Sequence, residues 1–217
     1  ASASNYDSVA QELSAIGIFR GTASGGFDLD RAPTRSEAAI MLVRLYGAEE
    51  QAKTAYAAGT IRHPFTDVGG TAAPSVAWLY TNGIANGTSA TTFGAANPCT
   101  VQNYAVFLLR ALGYQDKTDF QYADALDFAQ KCGFYNEVLF SGTFLRDDLA
   151  ALTYQALAAN TKGTETSLLE SLIASGGIDA SAAGAIRSKI GGYRALLKAA
   201  NTQEMLSADV DLGMKMG

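Results

Sequence analysis

The chain has 217 residues, enough for one compact domain or two small ones. Its 16 basic residues fall singly and are outnumbered by 21 acidic ones, so the net charge of −5 disfavours a nucleic-acid-binding protein. Apolar residues make up 48%, too many for a disordered chain, yet no apolar run approaches the ~18 residues that would span a bilayer.

Three related blocks follow one another along the chain, each with a glycine turn and, further on, a polar box. The first two blocks are 66 residues apart, while the third has a middle loop shorter by about five residues. In chain order, turns and boxes are Gly17-Ile18 with Thr34-Arg35-Ser36-Glu37, Gly83-Ile84 with Thr100-Val101-Gln102-Asn103, and Gly133-Phe134 with Leu145-Arg146-Asp147-Asp148.

Each block predicts a helix, a glycine-rich loop and a second helix. The first helices are expected at residues 6–16, from Pro74 around Trp78 to Gly83, and at residues 123–132, with Pro74 in the first turn and Gly83 in a left-handed stop. The second helices are apolar nearly all round, at residues 38–43, 104–109 and 149–157, which predicts that they are buried.

Three buried helices satisfy one another by packing together, so the sequence predicts an all-α fold, a pseudo-threefold bundle of three repeats within residues 1–160. The repeats are expected at about 6–47, 64–114 and 119–160. Residues 161–217 are interpreted as a linker at Lys162-Gly163-Thr164 and a helical extension. Its two amphipathic helices carry Leu168, Leu169, Leu172 and Ile173, then Ile186, Ile190, Tyr193, Leu196 and Leu197.

These elements resemble the S-layer homology family over about residues 6–160. The motifs that carry the resemblance are Pro64-Phe65-Thr66-Asp67-Val68, Trp78, Gly83-Ile84-Ala85-Asn86-Gly87 and Thr34-Arg35-Ser36-Glu37. The resemblance implies a non-catalytic module that anchors exported proteins to the Gram-positive cell wall after removal of a signal peptide. Its implied partner is secondary cell-wall polysaccharide, often through a pyruvylated sugar, with no cofactor and no membrane span.

The resemblance also implies where the ligand binds, because the family's ligand-contacting arginine lies in the polar box. That arginine corresponds to Arg35 in the first repeat and Arg146 in the third, whereas the second repeat has Val101. The third repeat also has Leu145 and Asp148 in place of the box threonine and glutamate. At most two of three grooves between repeats are therefore expected to be complete.

Elementary electrostatics supports a role for Arg35, because a cation in the first turn opposes the helix dipole and calls for an anionic partner. A sugar carboxylate fits, although a solvated Arg35 bridging to Asp28 or Asp30 is the alternative. Arg146 faces the same conflict, but its neighbours Asp147 and Asp148 could neutralise it locally.

The remaining candidates each have a structural alternative. Asp67 is a ligand contact or a turn-forming aspartate, and Trp78 stacks on a sugar or packs in the core like its counterpart Phe128. Gly21 and Gly87 are expected to supply positive φ, with close approach to a ligand as a second interpretation. Thr34 and Glu37 have the spacing of a capping box, a structural role.

Few residues are suited to metal or nucleophilic chemistry. The only histidine, His63, is interpreted as a loop residue, since no Gly-x-Ser-x-Gly motif occurs and structural zinc takes about four Cys or His ligands. No catalytic residue or metal site is predicted. Cys99 and Cys132 are expected either to be bridged, if the protein is exported, or to be two buried thiols.

Two other functions stay open. A structural or adhesive scaffold, acting through self-association after its sugar sites have decayed, fits the loss of arginine at Val101. A wall-associated hydrolase would need two carboxylates about 5–10 Å apart across a cleft. The sequence offers Asp28 with Asp30, or Asp147 with Asp148, but neither pair has a polar catalytic context.

Overall fold

A computed structural model of the protein describes residues 7–21, 26–137, 140 and 142–191. Regular structure in these ranges is helical and contains no strand, in agreement with the all-α prediction. A 3-10 turn at Tyr122–Asp124 precedes the sixth α-helix, and residues 184–191 are also helical. The named helices are α1 (Asp7–Ala15), α2 (Arg35–Leu45), α3 (Glu49–Ala57), α4 (Ala73–Thr81), α5 (Val101–Ala111), α6 (Ala125–Lys131), α7 (Arg146–Ala158) and α8 (Leu168–Ala174).

Local side-chain chemistry sets several helix ends. The hydroxyl of Thr34 accepts the third N–H of α2 at 3.1 Å, and Thr100 does the same for α5 at 3.1 Å. Pro74 is the second residue of α4, where its missing N–H costs no helical hydrogen bond. The helix ends at Thr81, and Gly83 just beyond it has a φ of 70°, the left-handed stop expected at that position.

The second helix of each block is buried, as its apolar sequence predicts. Leu42, Leu108 and Leu152, one on each of α2, α5 and α7, are fully enclosed at 0% exposure. At about 25 cal/mol per Å² of apolar surface, each such leucine contributes on the order of 2 kcal/mol to folding. The buried apolar side chains along these three helices belong to one continuous hydrophobic core.

The first helices pack across block boundaries. Within the described residues, α1 packs against α7, α4 against α2, and α6 against α5, so each first helix contacts the second helix of a different block. Helices α5 and α7 also pack against each other. Burial of each block therefore depends on contact with another block.

Loops reinforce the packing between blocks. The first two N–H groups of α2, on Arg35 and Ser36, donate to the carbonyl oxygens of Asn97 and Ala95 at 2.9 and 3.2 Å. The first two N–H groups of α7, on Arg146 and Asp147, donate to the carbonyl oxygens of Arg31 and Leu29 at 2.8 and 3.0 Å. Loop carbonyls thus satisfy helix N–H groups that would otherwise lack partners.

Helix α3 follows α2 directly and was not predicted. It has Glu49 and Glu50 in its first turn, which suits the helix dipole, but buries only Ala52. Because only one of its residues is buried, its sequence shows little of the apolar periodicity that predicts a helix. The helix nevertheless packs against α4 and α2.

The C-terminal extension is described as far as residue 191. Helix α8 follows the Leu168–Ile173 pattern, and residues 184–191 bury Ile186 and Ile190. The predicted linker is attached to the bundle, because the Lys162 N–H donates to the Leu112 carbonyl oxygen at 2.8 Å. Three residues of the second predicted helix lie outside the described residues: Tyr193, Leu196 and Leu197.

Candidate functional site

Arg35 is the first residue of α2 and is buried, with 7% of its surface exposed. Its Nε donates to the Phe93 carbonyl oxygen at 2.9 Å, and one terminal nitrogen donates to the Asn86 carbonyl oxygen at 3.2 Å. The other terminal nitrogen donates to the Asn103 amide oxygen at 3.4 Å. The guanidinium carbon also lies over the Phe93 ring, 4.8 Å from its centre.

The hydrogen bonds from the Arg35 guanidinium to described residues all go to neutral groups. Within the part of the chain that the structure describes, its hydrogen-bond acceptors are two carbonyl oxygens and one amide oxygen, and no carboxylate pairs with it. The alternative bridge to Asp28 is not formed, because Asp28 pairs with Arg31 at 2.6 Å instead. Burial lowers the pKa of Arg35, although a guanidinium stays charged at any physiological pH. Asp67 acts on this charge only at longer range, so among the described residues the buried guanidinium has no directly paired counter-ion.

A cavity of about 300 Å³ opens beside this charge. On its far wall Arg110 pairs with Asp116 at 3.2 Å, and Tyr122 lies at the rim with 48% of its surface exposed. Formal charges on these walls sum to one positive unit, since Arg110 and Asp116 offset each other. The lining comprises Arg35, Asn86, Gly87, Thr88, Asn103, Val106, Phe107, Arg110, Asp116 and Tyr122. We call this cavity the Arg35 groove.

Arg146 has a different electrostatic environment. It is the first residue of α7, its Nε donates to the Phe27 carbonyl oxygen at 3.1 Å, and its guanidinium lies over the Phe19 ring. A terminal nitrogen forms an ion pair with Glu37. The sequence had suggested Asp147 and Asp148 as the neutralising groups. Instead, Asp148 accepts the Leu145 N–H at 2.9 Å, and Glu37 from the first block neutralises Arg146.

Asp67 organises a loop. Its carboxylate accepts the backbone N–H groups of Phe93 and Gly94 at 2.8 Å each and of Ala95 at 3.1 Å. Hydrogen bonds from these N–H groups lower the pKa of Asp67, chiefly that from Phe93. The side chain thus braces the loop whose carbonyl oxygens hold Arg35, and it is not among the residues that line the groove.

The structure places Trp78 and Gly87 in packed surroundings. Trp78 is half-buried against the core and lies 5.4 Å, centre to centre, from the Tyr46 ring. Neither Gly21 nor Gly87 has positive φ, so that expectation was wrong. Gly87 is instead tightly packed within the protein, because an added Cβ would collide with the Phe65 ring and the Thr92 carbonyl oxygen. Gly87 also lines the Arg35 groove.

Thr34 and Glu37 form reciprocal hydrogen bonds at the start of α2. The Thr34 hydroxyl accepts the Glu37 N–H at 3.1 Å, and a Glu37 carboxylate oxygen accepts the Thr34 N–H at 3.2 Å. Glu37 also pairs with Arg31 at 2.7 Å. Burial opposes its ionisation, but hydrogen bonds from Arg31 and Thr34 and the charge of Arg146 hold its pKa at about 2.

The other titratable residues singled out by sequence lie in packed surroundings. His63 stacks between Tyr56 and Phe65, and burial lowers its pKa. Cys99 and Cys132 are unbridged in the structure, and burial raises the pKa of Cys99 to about 12. Among the described residues, no cluster of three or more His, Cys, Asp or Glu side chains has the arrangement of a metal site.

Sequence reasoning missed the far wall of the groove. Asn103, Arg110 and Tyr122 were not named as candidates, although Asn103 and Arg110 stand 66 residues after Glu37 and Arg44. The same offset that revealed the repeats could have identified the first two. Tyr122 gives no such signal, since it lies in a connecting segment.

Comparison with known proteins bears on one part of the groove lining, Asn86, Gly87 and Thr88. Residues 64–100 match the S-layer homology domain. The S-layer homology match starts just before Asp67, includes α4, Asn86 and Phe93, and ends at the Thr100 cap. No curated protein matches the chain. S-layer homology domains are generally non-catalytic modules that anchor proteins to the cell wall, so the match associates this chain with the cell surface.

The helices themselves contain no candidate membrane segment. Over the described ranges, each helix is too short or too polar to cross a bilayer.

Proposed function

We propose that this chain is a cell-wall-anchoring module that binds secondary cell-wall polysaccharide through the Arg35 groove. The observation that carries the proposal is the buried Arg35 guanidinium, which has only neutral acceptors among the described residues and faces a cavity of about 300 Å³. A buried charge is costly unless it is paired, so an anionic ligand would gain a strong, charge-assisted contact there.

The ligand is proposed to be an acidic saccharide, with a pyruvylated sugar as the best candidate. A carboxylate on a sugar ring suits the guanidinium of Arg35, which can donate two parallel hydrogen bonds. The amide of Asn103 offers a further hydrogen bond, and the exposed ring of Tyr122 offers a stacking surface. Arg110 also lines the groove, but its charge is offset by the ion pair with Asp116. The chain itself is acidic, so binding would depend on this local pocket more than on long-range attraction.

The proposal includes three repeats arranged with pseudo-threefold symmetry. Two features support it: each first helix packs on the second helix of another block, and loop carbonyls from one block meet the first N–H groups of another block's helix. These contacts link the first block to the third, the second to the first and, through α6 and α5, the third to the second. Such a cyclic order is what a closed ring of three repeats requires.

A pull-down with purified wall polymer tests the proposal. Wild-type protein should be retained by pyruvylated polymer and not by the same polymer stripped of pyruvyl groups. Arg35→Ala should lower retention at least tenfold, the order expected for one charge-assisted contact. Arg62→Ala removes an exposed arginine outside the groove and serves as the matched control.

Each result bears on the proposal. Equal retention of wild type and Arg35→Ala would remove the groove as the site, and retention that ignores pyruvylation would remove the acidic sugar. Self-association in sedimentation without any polymer binding would favour the scaffold function. Circular dichroism of each variant reports whether the fold is kept.

A further inference from the structure

Arg35 and Arg146 occupy equivalent backbone settings. Each is the first residue of its helix, and each Nε donates to a phenylalanine carbonyl oxygen, Phe93 at 2.9 Å or Phe27 at 3.1 Å. These two phenylalanines stand 66 residues apart, which is the repeat offset. Each guanidinium also lies over a phenylalanine ring, at 4.8 and 5.0 Å. The two sites can therefore be compared atom by atom.

The two sites differ at the side chain that one terminal nitrogen of the arginine contacts. The terminal nitrogen that reaches Asn103 in the Arg35 site reaches Glu37 in the Arg146 site. Asn103 and Glu37 hold the same position, because each is the third residue of its helix and each donates its N–H to a capping threonine at 3.1 Å. They too are 66 residues apart. One helix position thus carries a neutral amide in one site and a carboxylate in the other.

This difference sets the charge that a ligand meets. Glu37 is ionised at any pH well above about 2, so it neutralises Arg146 throughout the physiological range. A ligand carboxylate at Arg146 would have to displace an anion that is already hydrogen-bonded and half-buried. At Arg35 the amide of Asn103 offers no such competition.

We propose that the third residue of these helices decides which arginine accepts an acidic saccharide: Asn103 leaves Arg35 available, whereas Glu37 takes the place of the ligand's carboxylate at Arg146. The inference rests on the proposed function and adds a stoichiometry of one acidic sugar per chain. It also assigns the selectivity to a residue other than the arginines themselves.

Reciprocal charge changes test this assignment. The full chain, labelled with nitrogen-15, is titrated with a pyruvylated amino sugar and, separately, with the same sugar lacking the pyruvyl group. The Nε–Hε signals of Arg35 and Arg146 report the two sites independently. In the wild type only the Arg35 signal should move, and only with the pyruvylated sugar.

Two variants should shift occupancy in opposite directions. Asn103→Glu supplies Arg35 with an internal carboxylate and should weaken binding more than tenfold. Asn82→Glu makes the same change on an exposed residue outside the groove and should bind as the wild type does. Glu37→Gln keeps a polar cap but removes the charge, so the Arg146 signal should now move as well.

The outcomes separate this inference from the proposed function. Absence of wild-type binding would overturn both. Wild-type binding with a moving Arg146 signal, or an Asn103→Glu variant that binds normally, would overturn the inference alone. The Asn103→Glu and Asn82→Glu pair decides the question even where Glu37→Gln does not fold.

Discussion

The Asp67 carboxylate accepts the backbone N–H of Phe93 at 2.8 Å, and the carbonyl oxygen of Phe93 in turn accepts a hydrogen bond from Arg35. Asp67→Ala removes the acceptor for three N–H groups of this loop. We expect a melting temperature lower by about 2 to 6 °C, because hydrogen bonds to a charged group are among the stronger ones. Calorimetry measures the shift.

The same substitution should weaken saccharide binding although Asp67 does not line the groove. The loop would hold Arg35 less firmly, and a pre-organised site binds more tightly than a mobile one. Titration with pyruvylated sugar should give a severalfold higher Kd. An unchanged Kd together with a lower melting temperature would limit Asp67 to a stabilising role.

Gly87→Ala tests the close backbone approach at the groove. An added Cβ would collide with the Phe65 ring and two carbonyl oxygens, so we expect destabilisation of about 1 to 3 kcal/mol. Gly70→Ala is the matched control, because a Cβ there meets nothing within 4 Å. Urea denaturation of the two variants should separate them clearly, and equal midpoints would contradict the predicted collision.

Tyr104 and Thr153 share a hydrogen bond in the core between α5 and α7, and both side chains are fully buried. Thr153→Val leaves the Tyr104 hydroxyl without that partner and should cost about 1 to 3 kcal/mol. Adding Tyr104→Phe should recover part of this loss, since both polar partners are then gone. A double-mutant cycle by denaturation measures the coupling, and strict additivity would rule it out.

Glu37 predicts a specific pH dependence of stability. Its folded pKa of about 2 lies below the ordinary 4.5, so its stabilisation is complete above about pH 5 and is lost as pH falls toward 2. The difference in unfolding free energy between wild type and Glu37→Gln should shrink by about 2 kcal/mol over that window. Urea denaturation of both proteins at several pH values measures this difference in unfolding free energy.

Comparison with Glu37→Gln isolates this effect from other carboxyl groups. Burial raises the pKa of Asp148 to about 6, so Asp148 contributes with the opposite sign, but it is present in both proteins and cancels. A stability difference that stays constant from pH 6 to 2.5 would contradict the ion pairs assigned to Glu37.

Helix starts and buried helices could be predicted from the sequence because their causes are local. Thr34 and Thr100 precede their helices by one residue, and Leu42 and Leu108 lie in unbroken apolar runs. Helix α3 was missed because it buries one alanine and begins without a side-chain cap.

The site was harder to predict, since the residues that contact its charged side chains are distant in the sequence. Arg35 was recognised from its position at a helix start, but its burial depends on a loop more than 50 residues away. The partner of Arg146 lies 109 residues earlier in the chain, while the acidic neighbours suggested by sequence do not neutralise it. Short-range patterns carry no signal for such pairs.

The packing of α1 on α7 has a consequence for how the molecule is assembled. The first helix of the three blocks, α1, contacts the last, α7, so the packing of the helices closes on itself although the polypeptide is linear. If a single segment such as residues 64–100 were produced alone, its apolar helix faces would be exposed, and we expect it to be insoluble.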